Sequence, residues 1–430
     1  MENEFTYIDN KPFKICNTGK QILSVMNMTN EGIEFKIQDF RKYYIWDKEN
    51  FIPEIYAVDS RLRPITAFRI FVNRSDPSSI PSTTITSDLY FYSEDYPIDG
   101  TNEIQHFTKK TKISKIIYYH DEIKGIFGNE SFYIHSKCKK EKLKSIEIKG
   151  TDIKDTVIGK INIEQNEIKF LLSSKFKCNQ SFVDTEKIII QDKSSIVLKF
   201  KKGITLDEAY KIITLLDSTI HLIILTKKRH RKIEITDFKK NKYLFKDKKT
   251  YTIENKNREK LNLICNKENI FSSFIEIFKN LYCLEKDSIN SLFPFIEYDR
   301  KGISLEISFL EYYRALEYLN LVKQKSKGKG KNPNFLKDIL NNNKELIKLI
   351  LKQDYSDKIE EEIRALRNYY SHEGYYLDKL PIPTDQPTRY KEISSQWLND
   401  IYKIIKTVSY LEIYKLCGLD VSYDEIIYYI

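Results

Sequence analysis

The chain has 430 residues, with 71 Lys and Arg against 61 Asp and Glu, a formal charge of +10, and 41% hydrophobic residues. That length exceeds one typical domain, and the apolar content can fill a core in each of two or three, which excludes an intrinsically disordered chain. The longest apolar runs, such as Leu222 to Leu225, fall short of a bilayer span, and Met1-Glu2-Asn3-Glu4 does not open a signal peptide, so no membrane partner and a cytoplasmic location are expected.

Residues 1 to about 250 read as β-rich. Short runs of alternating Ile, Val, Phe and Tyr recur at Ile33 to Ile37, Thr66 to Val72, Lys115 to Tyr119, Ser131 to His135, Ile146 to Lys149, Ile188 to Gln191 and Ile196 to Phe200. Residues 76 to 82, rich in Pro and Ser, mark the clearest loop. Thr205-x-x-Glu208 is a capping box, predicting a helix that carries Leu206, Tyr210, Ile213 and Leu216 to about Asp217. A strand is expected from Leu222, then a basic hairpin tip over residues 227 to 232, then a strand from Ile233 to Phe238. The histidines at 106, 120, 135 and 221 fall in strand-like context with no ligand partner at motif spacing.

From about Asn269 the apolar period changes from two to 3.6. Ile270, Phe274, Phe278 and Leu281 begin the helical half, and Phe309, Tyr313, Leu316 and Leu319 form the next stripe. Helices are predicted over Phe335 to Leu351 and Asp357 to Tyr370, and a long last one carries Ile393, Trp397, Ile401, Ile404, Val408 and Leu411. Four core helices make an α-bundle. The expected fold class is α+β, a β-rich domain over 1–250 followed by an all-α bundle over 251–430, with the boundary between Lys246 and Lys267.

The six cysteines are scattered without ligand spacing, and no Walker A loop, G-x-G-x-x-G or H-E-x-x-H occurs, so no metal and no cofactor is expected. The basic balance favours a polyanionic partner. Lysine is abundant alongside Ile, Asn and Tyr, however, as an AT-rich coding sequence alone would produce, so the charge weighs evenly between the two explanations. With only 13 Arg in the chain, each is a scarcer choice, which modestly raises the weight of Arg364 and Arg367.

Arg367-Asn368-Tyr369-Tyr370-Ser371-His372 closes the predicted Asp357 to Tyr370 helix, with Gly374 just after it. A guanidinium and an imidazole suffice to cleave RNA: the imidazole carries protons near neutral pH and the guanidinium neutralises charge building on the phosphoryl oxygens. Arg367 lies at the border of the apolar stripe Ile359, Ile363, Leu366 and Tyr370. The bland alternative makes Arg367 a rim residue, with His372 and Gly374 closing the helix. Chance alone gives roughly half an Arg/His match of this kind per such chain, so context carries the weight.

The Arg-Asn-x-x-x-His element, downstream of Phe309-Leu310-Glu311-Tyr312-Tyr313-Arg314-Ala315-Leu316-Glu317, resembles the HEPN superfamily of helical ribonucleases. Ile196 to Phe200, Thr205 to Ala209 and Lys232 to Ile235 look like the β-rich region of ApeA-type HEPN proteins of bacterial anti-phage defence. The resemblance implies a HEPN-like helical domain, metal-independent endoribonuclease activity on tRNA or mRNA, and abortive infection. It also implies a homodimer through the helical domain and a phage-derived trigger at the amino-terminal domain. It casts Arg367, His372 and Asn368 as catalytic, with Glu317 and Arg364 in support. Glu317 is equally readable as a structural ion-pair partner of Arg314 or Arg364, and Asn368 as a residue satisfying the helix end. Lys325, Lys327, Lys329 and Lys331, in a Gly/Lys loop, are RNA-contact candidates or a solvated loop. The rival for the whole chain is a non-catalytic HEPN-like module that only binds RNA or protein.

Overall fold

The computed structural model describes residues 12–15, 21–29, 32–38, 54–58, 64–74, 82–93, 107–120, 122–128, 132–139, 142–150, 153–163, 166–180, 188–224, 231–247, 263–264, 269–284, 304–326, 328, 332–352, 358–372, 395–419, 421 and 426. The fold is mixed α+β, with strands in the amino-terminal half and helices in the carboxy-terminal half. The chain divides into two compact units, Met1–Ile213 with Lys228–Leu261, and Thr214–Lys227 with Asn262–Ile430.

In the first unit the alternating runs pair as antiparallel meanders. β1 (Pro12–Ile15), β2 (Gln21–Thr29) and β3 (Gly32–Gln38) form one, and β4 (Ile55–Val58), β5 (Pro64–Arg74) and β6 (Ser82–Ser93) form another. β1 also pairs with β4 and β3 with β6, so the six strands close on themselves. One side of β6 bonds to β5; the other is shared between β3 at Ser82 to Ser87 and β14 (Lys242–Asp247) at Leu89 to Ser93. Through that second half the ladder runs on to β13 (Arg231–Asp237), β7 (Ile113–His120), β12 (Ile188–Ile204), β11 (Asn166–Gln180) and β10 (Ile153–Ile163). Aromatic packing fixes the junction: Phe91 stacks on Phe107 at 4.2 Å and meets Phe245 edge-on at 5.2 Å. After β7 come helix α1 (Ile123–Phe127) and a separate hairpin, β8 (Phe132–Lys139) with β9 (Lys142–Gly150).

Three local expectations are corrected. Ile188 to Gln191 and Ile196 to Phe200 belong to one strand, because β12 keeps unbroken register with β11 through its polar middle, where the Ser174 and Ser194 hydroxyls meet at 2.7 Å. The capping box forms, the Thr205 amide donating to Glu208 at 2.6 Å and the Glu208 amide to Thr205 Oγ1 at 3.3 Å. Yet helix α2 (Leu206–Ile224) passes Asp217 and includes Leu222, where a strand was expected. External donors satisfy its last carbonyls: Tyr414 Oη donates to Leu222 O at 2.7 Å and the Ile264 amide to Ile223 O at 2.9 Å. Of the basic run at 227 to 232, Arg231 and Lys232 open β13, and residues 227 to 230 lie outside the described residues.

The second unit holds α3 (Ile270–Tyr282), α4 (Leu305–Ser326), α5 (Phe335–Asn342), α6 (Lys344–Leu351), α7 (Lys358–His372) and α8 (Ser395–Leu416), more than the four expected. The single helix predicted over 335–351 breaks at Asn343, whose φ of −123° and ψ of 25° leave the helical region and whose Nδ2 donates back to Ile339 O. α4 and α8 pack through Tyr312, whose carbonyl accepts from Ser409 Oγ at 3.2 Å and whose ring meets Tyr402 and Tyr410. Residues 76 to 81, 393 and 248 to 262 of the expectations above lie outside the described residues.

Candidate active site

Packing of α7 on α4 places the Arg/His element. Ile359, Ile363 and Leu366 are buried on one side of α7, and Tyr370 meets Phe309 of α4 edge-on at 6.2 Å. Arg367, one residue beyond Leu366, therefore emerges where the two helices meet the surface, its side chain 32% exposed.

Three groups hold its guanidinium. Nη2 lies 3.6 Å from Oε1 of Glu317, Nη1 donates to Oδ1 of Asn368 at 3.2 Å, and Cζ stands 5.9 Å from the centroid of the Tyr313 ring. Tyr313 and Glu317 are four residues apart on α4, so one helical face presents both to Arg367. The partner expected for Glu317 was Arg314 or Arg364; in the structure it pairs with Arg367. Arg364, one turn earlier, is directed elsewhere: Nε donates to Glu360 Oε1 at 2.9 Å and Nη2 to the Pro333 carbonyl at 3.0 Å.

The Tyr313 phenol is pushed above its ordinary value, first by burial and then by the Glu317 carboxylate, against the opposing pull of Arg364 and Arg367. At neutral pH it is a neutral ring offering a π-face to the cation. Tyr313 was expected only as a core residue of the α4 stripe. Its four-residue spacing from Glu317 is the signal that could have marked it.

His372 is the last residue of α7 and remains helical. Positions five apart on an unbroken helix lie about 140° apart around its axis, so positions 367 and 372 occupy different faces of α7. Asn368 is exposed and accepts from Arg367.

The other candidates divide. Lys325 is exposed in the last turn of α4; Lys327, Lys329 and Lys331 lie outside the described residues. In the basic run at 227 to 232, Arg231 is buried and its Nη2 bonds both carboxylate oxygens of Asp247, at 2.7 and 2.6 Å, while Lys232 pairs with Glu234 at 2.9 Å. His221 is helical instead of strand-like and buried, its Nε2 2.8 Å from Tyr410 Oη. Among the described residues no group of three or more His, Cys, Asp or Glu is placed to hold a metal ion, and no helix is long and apolar enough to cross a membrane.

The arrangement can present a fixed, half-buried guanidinium to an anionic group arriving at the α4–α7 surface. Compared with known protein families, curated proteins and solved structures, the chain matches none.

Proposed function

We propose that the chain is a metal-independent endoribonuclease of HEPN type, cutting tRNA or mRNA in bacterial anti-phage defence. The observation that carries this reading is Arg367, on the same helix as His372 and held half-exposed by Glu317, Asn368 and Tyr313. In the reaction the 2′-oxygen attacks the adjacent phosphorus and the bond to the 5′-oxygen breaks. The proton lost by the 2′-hydroxyl is matched by one gained at the 5′-oxygen, and His372 serves that transfer while Arg367 neutralises charge on the phosphoryl oxygens. The products are a 2′,3′-cyclic phosphate and a 5′-hydroxyl. The amino-terminal unit restrains the nuclease until a phage-derived trigger binds, since unrestrained RNA cleavage harms the host.

The rival, a non-catalytic RNA- or protein-binding module, is favoured by Arg364, whose guanidinium is engaged by Glu360 and the Pro333 carbonyl as a structural residue would be. Incubation with total RNA in excess EDTA separates the two. Arg367→Ala and His372→Ala are each expected to abolish cleavage and cellular toxicity with unchanged thermal unfolding. Equal RNA decay by both variants and the wild type sinks the nuclease reading, and a strict Mg²⁺ requirement with 5′-phosphate products replaces it with two-metal chemistry.

A further inference from the structure

The sheet of the first unit carries an arrangement of charge that its own stability does not explain. Cross-strand register sets Lys160 opposite Lys169, Lys169 opposite Lys199, and Lys199 opposite Lys115; Lys115 faces Thr236, which in turn faces Lys242. Directly opposed residues point to the same face, so five lysines form one row across the sheet. Like charges directly opposed destabilise a strand pair. Within the row only Lys160 and Lys199 have ion-pair partners among the described residues, Glu167 at 3.8 Å and Asp155 at 3.0 Å. Burial first, then the ammonium groups of Lys199 and Lys242, push the Lys115 amine below its ordinary value.

The row leads to the turn between β13 and β14. There Phe238 is 56% exposed, with Lys239 and Lys240 after it, and Gly203 beneath it follows Lys201 and Lys202 and has Lys112 Cβ beside it. The ring lies against Gly203. A Cβ at Gly203 would collide with Cε2 of Phe238, so the absence of a side chain at that position lets the ring lie over the strand. Asp237 locks the turn, its carboxylate accepting the Asn241 amide at 2.8 Å and the Asn241 side-chain Nδ2 at 2.9 Å. Lys240 takes the left-handed conformation, with φ of 70°.

An exposed aromatic ring among lysines matches one class of ligand. We propose that this end of the sheet docks single-stranded RNA, a base stacking on Phe238 while the lysines meet the phosphates. Unstacked bases accept an aromatic ring that a duplex refuses, and every base has a π-face, so the contact is tolerant of sequence. An anionic membrane would take the lysines equally well, but insertion calls for a broad apolar face, and among the described residues this end of the sheet offers one exposed ring. The inference rests on RNA being the substrate class proposed above, and it assigns the amino-terminal unit a grip on that substrate.

The test is fluorescence anisotropy of a labelled oligouridylate with the full chain carrying His372→Ala, which keeps the probe intact. Replacing Lys112, Lys201, Lys202 and Lys240 by Gln is expected to lower the magnitude of the log–log salt slope by roughly 3, at about 0.7 per phosphate contact. Phe238→Ala should weaken binding about 10- to 100-fold, Gly203→Ala should weaken it in the same direction by displacing the ring, and Phe238→Trp should restore it. A control replacing four exposed lysines of the helical unit, at positions 337, 344, 352 and 358, should change affinity by less than about twofold. Wild-type affinity and slope in the lysine variant, or equal losses in the control, overturn the proposal. So does capture on phosphatidylserine vesicles that depends on these lysines while oligouridylate binding does not. If binding is lost as expected but wild-type chain cuts no RNA, the docking surface stands and the nuclease reading falls; if binding is unchanged while His372→Ala abolishes cutting, the reverse holds.

Discussion

The Arg367 guanidinium is held by Glu317 and Tyr313, one turn apart on a neighbouring helix, and by Asn368 of its own helix, so the proposed reaction makes its chemistry depend on them. Glu317→Gln removes the charge that orients Nη2 while leaving shape intact. Because the pair is partly exposed, this should cost under about 1 kcal/mol of stability. Cleavage should nevertheless fall about tenfold, read as a lower kcat with unchanged KM, the mark of an interaction used in the transition state; a rate equal to wild type removes Glu317 from the site. Lys406 of α8 offers a second measurement. It is 5% exposed, lies 5.7 Å over the Tyr402 ring, and burial pushes its amine down to about 8 from 10.5. Between those values the unfolded chain binds more protons than the folded one, so this group makes stability rise with pH across about 8 to 10.5, with its penalty fully present below that window. Lys406→Met should therefore raise stability at pH 7 by roughly 3 kcal/mol at most, taking 1.36 kcal/mol per unit, and remove the rise expected between urea titrations at pH 8 and at pH 10. The border position of Arg367 was legible because α7 is amphipathic and local spacing sets its faces. The fate of Arg231 was not: it stands in a basic run that reads as solvated, and the Asp247 that draws it into the core comes from the far strand of its hairpin.

Helix starts and apolar periods are decided by neighbours in sequence, and these were readable. The Thr205/Glu208 capping box forms with both reciprocal bonds, and Thr205→Ala should cost about 1 kcal/mol in chemical unfolding, near the usual value for a lost cap. Helix ends are a different matter. α2 runs on to Ile224 because Tyr414 and the Ile264 amide, remote in sequence, donate to its last carbonyls, and because Ser218 and Thr219 turn their hydroxyls back onto Thr214 O and Leu215 O. Nothing within residues 206 to 224 announces those donors. The break at Asn343 was hidden for the opposite reason: the apolar period continues across it, while the side chain of one asparagine bonds back to Ile339 O and the backbone leaves the helical region. Closure of the six strands was also illegible, since β1 with β4 and β3 with β6 are pairings between strands distant in sequence, and alternation alone says only that each strand has two faces.

An unbroken α7 shapes what the assembled protein has to be if it cuts RNA. Positions 367 and 372 stand about 140° apart on one helix, so under the proposed reaction we expect the two residues of one site to come from different chains. A two-fold contact between the α7 segments of two chains would set each Arg367 near the other's His372. Mixed dimers test this directly. Combine Arg367→Ala and His372→Ala chains after reversible unfolding: in a mixed pair, one composite site holds both substitutions and the other holds neither. Random pairing makes half the dimers mixed, each with one intact site, so two inactive proteins should together recover about a quarter of wild-type cleavage. If Arg and His of the same chain served one site, every site in the mixture would lack one of them and no activity would return. The wild-type chain alone separates both outcomes from a binding module, since a chain that merely holds RNA gives an anisotropy signal and no cleavage before any substitution is made.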